Sequence, residues 1–120
     1  MTDFGIVLID DLRSFKDPDR ADLVLRTEKE ALEWARALTT EDSIAELWFD
    51  HDLGVDDTGD VTSVMSIVSV LEELAFFDKT PTIERIFVHT SNPVGGKQIE
   101  VALARFFDVR RVYAGDHFVA

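Results

Sequence analysis

Apolar residues in this chain come in short unbroken runs, and polar residues follow each run at once. The run at residues 4–9 is continuous and rich in β-branched side chains, which predicts a strand buried on both faces. Asp10-Asp11 follow it directly. Residues 12–22 carry Pro18 and several charges, so they predict a long loop with at most one helical turn. Residues 22–26, centred on Leu23-Val24-Leu25, predict a short second strand. Thr27 with Glu30 three positions on is a capping box. Ala31, Trp34, Ala35 and Leu38 then share one helical face, which predicts a helix over residues 28–38. A third strand is predicted at 46–49, ending in Asp50-His51-Asp52, and an acidic loop at 54–60. Val64, Ile67, Val68, Leu71, Leu74 and Ala75 recur at helical spacing and predict a helix over 61–77. Its β-branched residues make a strand the competing reading, but the run is too long for one. Thr80-Pro81 turns the chain back into a fourth strand at 84–89. Asn92 to Gly96 form a turn leading into a helix with Ile99, Ala102, Leu103 and Phe106 on one face. A fifth strand is predicted at 109–114, and the tail at 115–120 is too short for a closing helix.

Strands alternating with helices predict an α/β fold with a five-stranded, mainly parallel sheet. Right-handed crossovers restrict its topology, and the expected strand order is flavodoxin-like, 2-1-3-4-5. The first helix of such a fold would be degenerate here, and the last missing. No linker or repeat divides the chain, so residues 1–120 are expected to form a single domain. This order sets the first, third and fourth strands side by side. Their carboxyl ends carry the polar clusters, and in an open parallel sheet that edge lines the ligand crevice.

Charge and composition narrow the chemistry. With 24 acidic against 12 basic residues the net charge is −12, which argues against a general nucleic-acid surface and an anionic membrane surface. No stretch reaches transmembrane length, and no basic leading segment marks a signal peptide, so a cytoplasmic setting is expected. Cysteine is absent, which removes disulfides, zinc thiolates and a thiol nucleophile.

Asp10, Asp11, Asp50 and Asp52 would converge at one sheet edge and need relief by a cation, a shared proton or a basic side chain. Hard carboxylate oxygens suit Mg²⁺, Mn²⁺ or Ca²⁺. The plainer reading is that such acids cap the next segment or face water. The loop at 54–60 lacks EF-hand spacing, and Asp56, Asp57 and Asp60 read as loop and cap residues. His51 lies between two acids and reads as a general acid, a metal ligand or an ion-paired bystander. His89 ends the fourth strand beside Thr90 and Ser91, suited to proton transfer to a phosphate ester oxygen or to a structural hydrogen bond. Asn92, Gly95, Gly96 and Lys97 open a helix whose free N–H groups could cradle an anion, or could form only a turn. The segment is not a Walker A loop. Arg13 could clamp a phosphate or pair with a neighbouring acid.

Three motifs together carry a resemblance. Ile9-Asp10-Asp11-Leu12-Arg13, Phe49-Asp50-His51-Asp52-Leu53-Gly54 and His89-Thr90-Ser91-Asn92-Pro93-Val94-Gly95 resemble the cyclic-phosphate processing receiver-like domain family, a variant of the response-regulator receiver fold found in phages and bacteria. The resemblance implies a pocket of Asp10, Asp11, Asp50, Asp52, His89 and Asn92, and a setting in host cytoplasm if the chain is phage-encoded. Gln98 stands near a place where the family often has Asn, and the loop at 55–60 is unusually acidic. In ordinary receivers the counterparts would be metal-binding acids at Asp10-Asp11, a phosphorylated Asp at Asp50 and a switch hydroxyl at Thr90 or Ser91. The Lys that follows their fifth strand has no counterpart in Ala114-Gly115-Asp116-His117, which argues against ordinary phosphotransfer signalling.

The function expected is a metal-dependent, phosphodiesterase-like domain acting on a cyclic nucleotide or a 2′,3′-cyclic phosphate end. Asp10, Asp11, Asp50 and Asp52 would supply metal ligands for Mg²⁺ or Mn²⁺, and His89 and His51 the proton transfer. Arg13, Thr90, Ser91, Asn92, Gly95 and Gly96 would bind the phosphate of a small phosphorylated ligand. The alternative is a non-catalytic pseudo-receiver that binds such a ligand or a protein partner.

Overall fold

The structure is a computed structural model and describes residues 1–119. The chain begins with β1 (Ile6–Ile9), β2 (Ser14–Phe15), β3 (Leu23–Leu25) and α1 (Glu28–Arg36). β4 (Ser43–Phe49), β5 (Asp52–Val55), β6 (Val61–Ser63) and α2 (Met65–Phe76) follow. β7 (Thr82–Val88), α3 (Pro93–Leu103), β8 (Val109–Arg111), a 3₁₀ turn (Ala114–Asp116) and β9 (Phe118–Val119) complete it. The central sheet is wholly parallel in the order β3-β1-β4-β7-β8, the expected 2-1-3-4-5. Among the described residues no α-helix joins β1 to β3, and none follows β8. No helix is long and apolar enough to cross a membrane.

The sheet is buried on both faces, which explains its unbroken apolar runs. Val7, Ile9, Leu47, Phe49, Ile86 and Val88 pack with Ala31 and Ala35 of α1, Ile67, Val68 and Leu71 of α2, and Ile99 and Leu103 of α3. On the other face, Leu8 and Trp48 pack with Phe15 and Phe118. Each fully buried Val, Leu, Ile or Phe side chain among them contributes about 1.5–3 kcal/mol of hydrophobic stabilisation.

Two expected loops turn out to be paired. β2 lies in the segment predicted as loop, and β9 in the segment predicted as tail; they pair antiparallel, Phe15 opposite Phe118. The two rings stack at 4.8 Å, and Phe15 meets Trp48 edge-on at 5.0 Å. This ribbon covers the sheet face that the absent helices leave open. Its partners are about a hundred residues apart, so no local pattern announces it.

The segment from Asp52 to Ser63 is likewise a hairpin, β5 with β6, rather than a loop running into a helix. Val61 pairs with Val55, and the Thr62 hydroxyl donates to the Gly54 carbonyl at 3.0 Å. The helix therefore begins at Met65, whose N–H donates to Ser63 Oγ. β1 also starts two residues late. Gly5 adopts φ +65°, and the Asp22 carboxylate accepts the Ile6 N–H at 2.8 Å. Phe106, expected on the apolar face of the last helix, lies beyond α3 and is half-exposed.

Candidate functional site

Register brings three strand ends together. Ile9 stands opposite Phe49, and Phe49 opposite Val88. The Asp50 N–H donates to the Ile9 carbonyl, and the His89 N–H to the Phe49 carbonyl. Asp10, Asp50 and His89 therefore sit in one row at the carboxyl edge of β1, β4 and β7.

Asp10 is fully buried. Its Oδ1 accepts the N–H groups of Leu12 (2.9 Å) and Arg13 (2.8 Å), and its Oδ2 lies 2.9 Å from His89 Nε2. Burial opposes the charge of Asp10, but the His89 bond and the two backbone donors outweigh it and hold the carboxyl below the usual aspartate range. The ionised acid can only accept, so His89 Nε2 carries the proton. The His89 ring is also fully buried, 4.3 Å from the Phe118 ring, and Nδ1 has no partner among the described residues.

Asp10, Asp11 and Asp50 each offer a carboxylate oxygen, and the three oxygens lie within 4.8 Å of one another. Two charges at about 4 Å repel by roughly 4 kcal/mol at an effective dielectric near 20. The cost is visible at Asp11, where burial, then repulsion by Asp10 and Asp50, pushes the carboxyl up. Arg13 relieves the other two. Its Nε lies 3.2 Å from Asp10 Oδ2, and its Nη2 donates to Asp50 Oδ2 at 3.0 Å. Hard oxygen donors at this spacing could bind a divalent cation.

The remaining expected residues surround this centre. Asp52 stands apart from the three acids, largely exposed on β5, with Oδ1 3.0 Å from His51 Nδ1. That contact leaves His51 Nε2 shielded and without a partner among the described residues. The His51 ring lies so close to Gly95 that a Cβ there would collide with it. A Cβ on Gly96 would come within 2.8 Å of the Arg111 guanidinium. Both glycines thus admit side chains to the start of α3. Asn92 is the N-cap of α3; its Oδ1 accepts the Gly95 N–H at 3.0 Å. Thr90 Oγ1 accepts the Asn92 N–H at 3.1 Å, and Ser91 is exposed. The model for the cyclic-phosphate processing receiver domain matches residues 6–105. The chain belongs to this family. No curated protein and no solved structure matches the chain.

Three residues of this receiver domain's centre escaped the sequence reading. Arg26 donates from Nη1 to the Asp10 carbonyl at 3.2 Å and from Nη2 to Ser14 Oγ at 2.8 Å, pinning the loop that carries Asp11 and Arg13. Its position at the carboxyl end of the second strand, beside the first, was the available signal. Phe118, which closes over His89, and Arg111, which packs on Gly96, had none.

Proposed function

We propose that residues 1–120 act as one receiver-like domain that hydrolyses a cyclic phosphate with the help of a divalent ion, in the cytoplasm. The observation that carries this reading is the meeting of Asp10, Asp11 and Asp50 within 4.8 Å in a chain of the cyclic-phosphate processing receiver family. The donor set fits Mg²⁺ or Mn²⁺: all oxygen, with the Asp11 carboxyl pushed up by burial first and then by the charges of Asp10 and Asp50. When bound, the ion supplies neutralisation of the phosphate charge.

The chain's own residues do the rest. Arg13, no longer needed between Asp10 and Asp50, clamps phosphate oxygens with its planar fork. Thr90 and Ser91 orient the phosphate, and Asn92 holds the first turn of α3 beside it. His51 is the proton-transfer residue, because Asp52 orients its ring through Nδ1 and its side chain, unlike that of His89, is not fully buried. His89 acts through Asp10 as a positioning residue, since it is sealed behind that carboxylate. Water attacks phosphorus, one ring P–O bond breaks, the departing oxygen takes a proton, and the product is a phosphomonoester.

Incubation with Mg²⁺ or Mn²⁺ and a panel of 2′,3′- and 3′,5′-cyclic nucleotides, followed by phosphorus NMR, tests this. Turnover is expected for the wild type and is lost in Asp50→Asn; no turnover across the panel defeats the reading. Two observations favour a second reading, a binding module without turnover: His89 is fully buried, and Arg13 already occupies the acids. A melting shift with a cyclic nucleotide, without product, identifies it.

A further inference from the structure

We propose that the end of α2 is a self-association surface, through which two copies of this chain pair about a two-fold axis. The acid cluster takes no part in it, so the inference stands apart from the reading above.

α2 ends on two large apolar residues that face water. Phe76 is 77% exposed and Phe77 59% exposed, and their rings meet edge-on at 5.2 Å, so they form one patch. Exposed aromatic residues that adjoin in this way mark contact surfaces. The chain beyond them is held in a defined stop. The Lys79 N–H donates to the Leu74 carbonyl at 2.8 Å, and the Asp78 N–H to the Ala75 carbonyl at 3.1 Å. Such a stop needs a left-handed residue, usually glycine, and Asp78 fills the place at φ +56°. The two rings therefore stand on a closed helix end rather than on a frayed one. Beside them lies a groove of about 500 Å³ between the ends of α1 and α2. Val70, Leu74 and Phe77 line it at helical spacing, and Ala35 and Arg36 of α1 line it from across. Phe76 is thus a knob next to a hole.

A two-fold contact requires a single patch that carries both the projecting part and the receiving part. Phe76 and the groove meet that requirement, because they adjoin on one helix end. The charges around the patch point the same way. Arg36 and Lys79 on one hand, and Glu73 and Asp78 on the other, have no ion-pair partner among the described residues. Two cations and two anions are complementary to themselves, since a two-fold rotation can set each sign opposite the other. A strongly acidic or basic partner would meet as much repulsion as attraction. The patch is also clear of the acid cluster. Thr82 opens β7 soon after Lys79, at the amino edge of the sheet, whereas Asp10, Asp50 and His89 lie at the carboxyl edge. The exposed parts of the two rings come to roughly 250 Å², against about 800 Å² per partner in a standard interface. The grooves must supply the rest, so the pairing is expected to be weak and concentration-dependent.

Sedimentation equilibrium of the full chain from about 10 μM to about 1 mM, without metal or cyclic phosphate, tests this. A monomer–dimer equilibrium is expected, with no larger species. Each copy carries a net charge of −12, so the copies repel at long range, and added salt is expected to tighten the dimer. Phe76→Ser and Phe77→Ser should each weaken it at least tenfold. Both positions are exposed, and circular dichroism checks that the fold is kept. Amide NMR on dilution should shift Arg36, Glu73, Phe77 and Lys79 and leave Asp11 and Gly95 in place. A monomer over the whole range, open-ended growth, a dimer that salt loosens, or a dimer untouched by both variants overturns the proposal. None of these results bears on the acid cluster, so the two readings fail separately.

Discussion

Arg13 holds the place of a cation. It ties Asp10 to Asp50, so a divalent ion must displace a positive charge already there. A unit charge about 4 Å from a divalent ion opposes it by roughly 2 kcal/mol even at the dielectric of water. Arg13→Gln should therefore tighten Mn²⁺ binding by at least tenfold in calorimetry while weakening a cyclic phosphate. Looser Mn²⁺ binding would show instead that Arg13 organises the acids for the ion. The acids themselves were readable, because a carboxylate directly after a buried apolar run must emerge at the strand's end. The burial of His89 was not. Its position after a strand is compatible with an open edge, and the Phe118 ring that packs 4.3 Å from it comes from the far end of the chain.

The hairpin of β5 and β6 depends on Gly54. Alanine there would take up a left-handed backbone and press on the Asp11 carboxylate. Gly54→Ala should cost about 1–2 kcal/mol in urea unfolding and disturb metal binding as well. An equal loss of stability with untouched Mn²⁺ affinity would separate the hairpin from the site. A second local device joins the end of α1 to the start of β4. The Asp42 carboxylate accepts the N–H of Thr39 at 2.8 Å, the Thr39 hydroxyl and the N–H of Thr2. The Thr39 N–H first, against a burial penalty, and then the Thr2 N–H, hold it below the usual aspartate range. A lowered acid contributes stability that is complete above the ordinary aspartate range and is lost as pH falls through its own lower value. Asp42→Asn should thus lower the urea midpoint at pH 7, and the gap should close as the solution is acidified through that interval. A gap that persists in strong acid would assign the effect to shape rather than charge. The capping box at Thr27 was legible because it is local; the hairpin was not, since helical periodicity from Val64 onward overlaps its second strand.

The molecule is asymmetric about its sheet. Three helices cover one face, while the other relies on the β2–β9 ribbon and a few aromatic rings. Phe118 is the keystone of that second layer, touching Phe15, Trp48 and His89. Phe118→Ala should cost about 3–5 kcal/mol and move Trp48 emission to the red, read by urea titration with fluorescence. A cost below about 1 kcal/mol would mean that the ribbon merely rests on the sheet. The parallel sheet, its strand order and the convergence of Asp10, Asp11 and Asp50 were written in the chain. Buried strands need continuous apolar residues, and right-handed crossovers leave few ways to arrange them. The ribbon, the hairpin over Asp11, the sealing of His89 and the filling of Gly95 and Gly96 by His51 and Arg111 arise from contacts between distant segments. Such contacts depend on packing in three dimensions, and no periodicity along the chain encodes them.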